Sequence, residues 1–169
     1  MKILPVFILL GVVALAATVA APTLLEGAWR PDLFAILLVY VALRAPKRAA
    51  LAWAWAVGLA RDVSAGGSFG VHASLALVAA FVIVHFRTEI ENRPLVSYVP
   101  WVAVVAAIAG AADWTLLMAN GYAPALAAAG RGIALSAMAT MLVSFPAMWL
   151  LNRLNAWLGI RRRYRFGSG

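Results

Sequence analysis

Residues 96–118 read VSYVPWVAVVAAIAGAADWTLLM, a stretch whose one charged side chain is Asp113. About 20 mostly apolar residues in a helix cross the roughly 30 Å hydrocarbon core of a bilayer. Lipid offers no partner to backbone N–H and C=O groups, so such a stretch must pair them within itself, as a helix. The same reading extends outward to five more apolar stretches: residues 3–21, 31–43, 49–60 or a little beyond, 71–86 and 132–151. Pro22 ends the first, and Pro31 suits the first turn of the second. The expected fold is therefore an all-α membrane protein, a six-transmembrane-helix bundle. Stretches 31–43 and 49–60 are short and cross only a thinned layer. A re-entrant pair is the alternative.

The whole chain agrees with its central stretch. Of 169 residues, 65% are hydrophobic and 12% charged, and the mean hydropathy is +0.93. This length suffices for one bundle, with residues 1–160 as a single transmembrane domain and 161–169 as a basic tail. Gly167-Ser168-Gly169 reads as a linker remnant. Lys2 followed by apolar residues has the look of a signal peptide, but the length of the run and the spans after it favour a retained first helix. Without cysteine there is neither a disulfide framework nor a thiolate metal site. No cofactor is expected.

The net charge of +8 follows from topology rather than from nucleic-acid binding. With the N-terminus in the cytoplasm, eleven of the 14 basic residues fall inside, leaving Arg30, Arg61 and Arg131 outside. The positive-inside rule then places both termini in the cytoplasm. Trp29, Trp53, Trp101, Trp149 and Trp157 lie near expected span ends, where an indole favours the interface. The tail cluster Arg161, Arg162, Arg163 and Arg165 would attract anionic lipid headgroups or a cytoplasmic partner.

Charged and polar residues within the spans are few. Asp32 opens the second span behind Arg30 and Pro31, where a helix N-terminus favours a carboxylate; a partner role is the other reading. Residues 58–72, GLARDVSAGGSFGVH, join the third and fourth spans through a glycine-rich turn suited to positive φ. Arg61 and Asp62 are adjacent, so they point in different directions on a helix. Asp62 needs a partner at the membrane edge. Ser64 or Ser68 would cap the next helix. Residues 66–70 spell G-x-S-x-G, but no strand–turn–helix surrounds that serine, which excludes a hydrolase elbow. Asp113 lies inside the fifth span. It either meets another helix or partner, or sits near the outer face, hydrated or paired with Arg131. No second acid, Lys or His is expected at its depth, so no proton relay is expected. Small residues spaced by four, as in Ala16/Ala20, Ala17/Ala21, Ala106/Gly110 and Ala107/Ala111, would let helices approach closely.

Several of these features in order resemble the rod shape-determining protein MreD family. The likeness rests on Arg30-Pro31-Asp32-Leu33 opening the span ILLVYVALR of residues 36–44, on Gly58-Leu59-x-x-Asp62, on Ser64-x-Gly66, and on Phe69-Gly70-Val71-His72-Ala73. Arg61 stands before Asp62 where the pattern has an uncharged residue. The resemblance implies a non-catalytic scaffold in the bacterial inner membrane that binds MreC, acts with MreB, RodA and a penicillin-binding transpeptidase, and helps control cell shape and lateral peptidoglycan synthesis. It also implies a fold like the substrate-binding subunits of energy-coupling-factor transporters. On this reading Arg30, Pro31, Asp32, Asp62, Gly70 and His72 shape or contact the partner surface. The alternative is a vitamin-type transporter subunit, with Asp113, Trp114, Asn120 and Tyr122 lining its pocket.

Overall fold

The structure, a computed structural model, describes residues 30–65, 69–88, 95–122 and 125–157. The expected first span and the basic tail lie outside the described residues. Five helices follow in order among the described residues: α1 (Leu33–Arg44), α2 (Lys47–Ala65), α3 (Val71–His85), α4 (Val99–Ala119) and α5 (Leu126–Trp157), with a 3₁₀ turn at Leu95–Tyr98 before α4. No strand occurs among the described residues. α4 and residues 126–153 of α5 are long and apolar enough to cross a membrane by length and composition, whereas α1 and α3 are shorter apolar helices.

All five helices fall on stretches expected to be spans, with different ends. Pro31 does not open α1. Asp32 is its N-cap, extended at φ −84° and ψ 93°, and its side chain accepts from the Ala35 N–H. A short acceptor side chain is worth more at the cap than inside the first turn, which leaves Pro31 outside the helix. α2 continues to Ala65 and so carries Arg61 and Asp62 on its last turns. α5 starts well before residue 132 because Gly130 and Arg131 are accommodated in its exposed first turns.

α1 is apolar on all sides, and every residue from Phe34 to Leu43 is buried. It touches each of the other four helices. Around it, α2 packs along α3 and α4 along α5. The first of these pairs meets at Gly58. A Cβ there would lie 2.5 Å from both the Ala73 Cα and the His72 carbonyl oxygen, so only glycine allows this approach. The second pair meets at Gly110, where a Cβ would lie 3.2 Å from Ile133 Cγ1. Of the small-residue pairs, Ala106/Gly110 thus includes a real helix contact; Ala16/Ala20 and Ala17/Ala21 lie outside the described residues. At the end opposite Asp32, the Tyr40 hydroxyl donates to the Leu151 carbonyl at 3.2 Å. Arg87 donates from Nη1 to the Ala45 carbonyl at 2.8 Å.

Candidate functional site

The chain has three aspartates, and the fold gathers all of them. Asp32 caps α1, Asp62 lies near the end of α2, and Asp113 lies on α4. Between them stand Arg61 of α2 and His72 of α3.

Asp62 is buried, with 2% of its surface exposed. Its Oδ2 accepts from the backbone N–H of Gly70 at 2.9 Å and of Ala73 at 3.1 Å. Its Oδ1 accepts from the His72 backbone N–H at 2.9 Å and faces His72 Nδ1 at 2.9 Å. The side chain of one helix therefore caps the next. This corrects the expectation of a serine cap. The Ser64 hydroxyl donates backward to the Arg61 carbonyl, and Ser68 lies outside the described residues. The residue at the cap position is Gly70 at φ 98°, which has no side chain to offer. Asp62 supplies from outside the acceptor that a local cap would have given.

Arg61 leaves α2 in the other direction. Its guanidinium donates through Nη1 to Asp32 Oδ2 and through Nη2, at 2.8 Å, to Asp113 Oδ2. Asp113 Oδ1 faces His72 Nε2 at 2.8 Å. Asp113 is thus neither isolated nor paired with Arg131, and a histidine does stand at its depth, contrary to the sequence expectation. Burial of the cluster is graded: His72 is 3% exposed and the Asp113 side chain 42%. Burying charges is tolerable only where they pair and their remaining hydrogen-bonding sites are filled, which this geometry achieves.

α5 joins through hydroxyls. Thr140 Oγ1 accepts from the Asp32 backbone N–H at 2.8 Å and donates to the Ser136 carbonyl at 2.6 Å. The Ser136 hydroxyl donates to the Arg30 carbonyl at 2.8 Å. Polar groups from all five helices, each limited to a residue or two, form one joint that links the α2/α3 pair to the α4/α5 pair through the start of α1. The arrangement holds helix ends together.

The expected site residues separate accordingly. Asp32, Asp62 and His72 are buried in the joint, Gly70 shapes it, Pro31 is half-buried beside it, and Arg30 is exposed at its edge. A cavity of about 40 Å³ adjoins the joint, lined by Phe34, Leu38, Val57 and Leu75 together with Arg61 and His72. That is room for a few waters, not for a vitamin-sized ligand. Asp113, Trp114, Asn120 and Tyr122 do not line this cavity. Trp114 Nε1 is buried without a hydrogen-bond partner among the described residues. The sequence reading missed Arg61 as the hub, and Thr140 and Ser136 altogether. The signal available for Arg61 was its charge within an apolar bundle, which demands a partner.

Comparison with known proteins gives one family. Its model, described as rod shape-determining protein MreD, matches residues 1–153. No curated protein and no solved structure matches the chain.

Proposed function

The chain belongs to the MreD family of rod shape-determining proteins, and from that premise we propose that it is a non-catalytic scaffold that binds MreC in the bacterial inner membrane. The family match over residues 1–153 carries this reading. The complex would also hold MreB, RodA and a penicillin-binding transpeptidase, and through it the scaffold would help control lateral peptidoglycan synthesis.

The proposed architecture is a six-span bundle in residues 1–160, of the kind that energy-coupling-factor substrate-binding subunits use, with both termini cytoplasmic. Support comes from the distribution of basic residues and from five helices on the expected stretches. The arginines at 161–163 and 165 would rest on anionic lipid headgroups. In this orientation the polar joint lies at the outer end of the bundle.

In the scaffold, Asp32, Asp62, Gly70 and His72 act indirectly. They are too buried or too small to reach a partner, and they fix the helix ends that form its surface. Pro31 directs the chain into α1, and Arg30, exposed at the same edge, is the residue placed to touch the partner. Co-purification of MreC with Asp32→Ala, Asp62→Ala and Arg30→Ala variants tests this. The expected result is reduced recovery and rounded cells for the two aspartate variants. Unchanged recovery with unchanged cell shape would reject the joint as the support of the partner surface.

A further inference from the structure

The hydrogen bonds around His72 can be counted. Oδ2 of Asp62 accepts from the backbones of Gly70 and Ala73, while Oδ1 accepts from the His72 backbone N–H and faces His72 Nδ1. A carboxylate offers about four lone-pair sites, and backbone N–H groups fill three of them. Three such donors stabilise the ionised carboxylate, so the hydrogen of the remaining contact is placed on His72 Nδ1. A neutral imidazole with hydrogen on Nδ1 presents a bare lone pair at Nε2. Yet Nε2 stands 2.8 Å from Asp113 Oδ1, whose partner oxygen is already engaged by Arg61. Two lone pairs repel at that distance. The contact requires a hydrogen between them.

We infer that His72 Nε2 and Asp113 Oδ1 form a binding site for one labile proton, and that this proton ties α3 to α4. The proton rests on the imidazole, which then donates to an ionised Asp113, or on the carboxyl, which then donates to Nε2. Either way the pair holds one proton more than a neutral histidine beside a carboxylate.

Charged groups reach the site from α2, as Arg61 and Asp62, and from the start of α1, as Asp32 held through Arg61. α4 supplies Asp113 itself, and α5 contributes the Thr140 hydroxyl that binds the Asp32 N–H and the Ser136 hydroxyl that binds the Arg30 carbonyl. Three carboxylates thus surround one guanidinium and one imidazole. Departure of the proton makes the cluster more negative by one charge and sets Nε2 against Oδ1. The bond between α3 and α4 is then lost, while Asp62 keeps its grip on the start of α3. The inference concerns this joint alone and holds whichever partner the scaffold binds.

The chain is well suited to the test, because it has two histidines and three aspartates. The full chain, labelled with ¹⁵N-histidine and ¹³C-aspartate, is placed in phosphatidylethanolamine/phosphatidylglycerol bilayers and measured by solid-state NMR from pH 6 upward. His85→Gln assigns the His72 signals, since exposed His85 lies at the far end of α3. At about pH 8, above the ordinary histidine range, the expected spectrum shows either both His72 ring nitrogens protonated or a bare Nε2 with one protonated aspartate carboxyl. In Asp113→Asn the amide donates to Nε2 instead, and His72 shows one protonated and one bare nitrogen at the same pH. A wild-type spectrum with bare Nε2 and all three aspartates ionised at that pH overturns the inference. Because the wild-type proton count decides, misfolding of the Asp113→Asn variant does not rescue it.

Discussion

Replacement of Gly58 by alanine tests how closely α2 and α3 are packed. The added Cβ would lie 2.5 Å from the Ala73 Cα, 2.5 Å from the His72 carbonyl oxygen and 2.8 Å from the Ala73 nitrogen. All three are backbone atoms, so no side-chain rotation relieves them. To reach ordinary contact at 3.4 Å, the helices must part by about 0.9 Å. Overpacking of this kind costs about 1–3 kcal/mol. The movement also stretches the Asp62 bonds to the His72 and Ala73 N–H groups, each contributing about 0.5–1.5 kcal/mol. Against this stands the roughly 0.5–1 kcal/mol by which alanine outranks glycine inside a helix. The net expectation is a loss of about 1–5 kcal/mol, centred on about 3 kcal/mol, or roughly 6–12 °C in Tm for a chain of this size. Thermal unfolding in mild detergent, followed by tryptophan fluorescence, measures it. Gly132→Ala is the control, because nothing lies within 4 Å of its Cβ position; it should hold or gain about 0.5–1 kcal/mol. A Gly58→Ala protein that melts with or above wild type would refute the backbone contact.

Three further substitutions probe the joint. Arg61→Ala leaves Asp32 and Asp113 without their shared cation and should cost about 3 kcal/mol by the same melt; adding Asp32→Asn should restore part of that loss, and strict additivity of the two would refute a direct pair. Asp62→Ala removes the acceptor for the Gly70, His72 and Ala73 N–H groups and should cost about 1–2 kcal/mol. Hydrogen exchange should then accelerate at those three amides before the rest of α3, and uniform protection along the helix would contradict the remote cap. Thr140→Val strands the Asp32 N–H and should cost about 1–3 kcal/mol, whereas Thr140→Ser should remain near wild type; equal melts for the two would show that the hydroxyl does not hold α1 to α5.

Much of the fold was legible because lipid leaves a spanning chain so few options. Residues 96–118 and 132–151 could only be helices, and α4 and α5 lie there. Helix ends were harder. Pro31 and Asp32 each carry a start signal, and only their geometry shows that the carboxylate accepts from Ala35 N–H while the proline stays outside. The joint was half legible. Asp32, Asp62 and His72 were singled out one by one, yet their convergence depends on which faces of α1, α2 and α3 meet, and periodicity cannot supply that for helices apolar on most sides. Asp113 was left between a contact to another helix and a place near the outer face, and its histidine was not foreseen for the same reason: it comes from a different helix, 41 residues earlier. Arg61 was noted as an outside basic residue, as a neighbour of Asp62 facing another way, and as a departure from the family pattern, but not as a partner of either distant aspartate. The fold makes that departure the hub, since a single guanidinium bridges Asp32 and Asp113.

The scaffold reading is tested most directly by extracting this chain from its native membrane in mild detergent and measuring the stoichiometry of what comes with it by mass spectrometry. The expected result is MreC in near-equal amount from wild type, with recovery reduced in Asp32→Ala and Asp62→Ala. ATPase-type coupling subunits or a bound vitamin in place of MreC would contradict it.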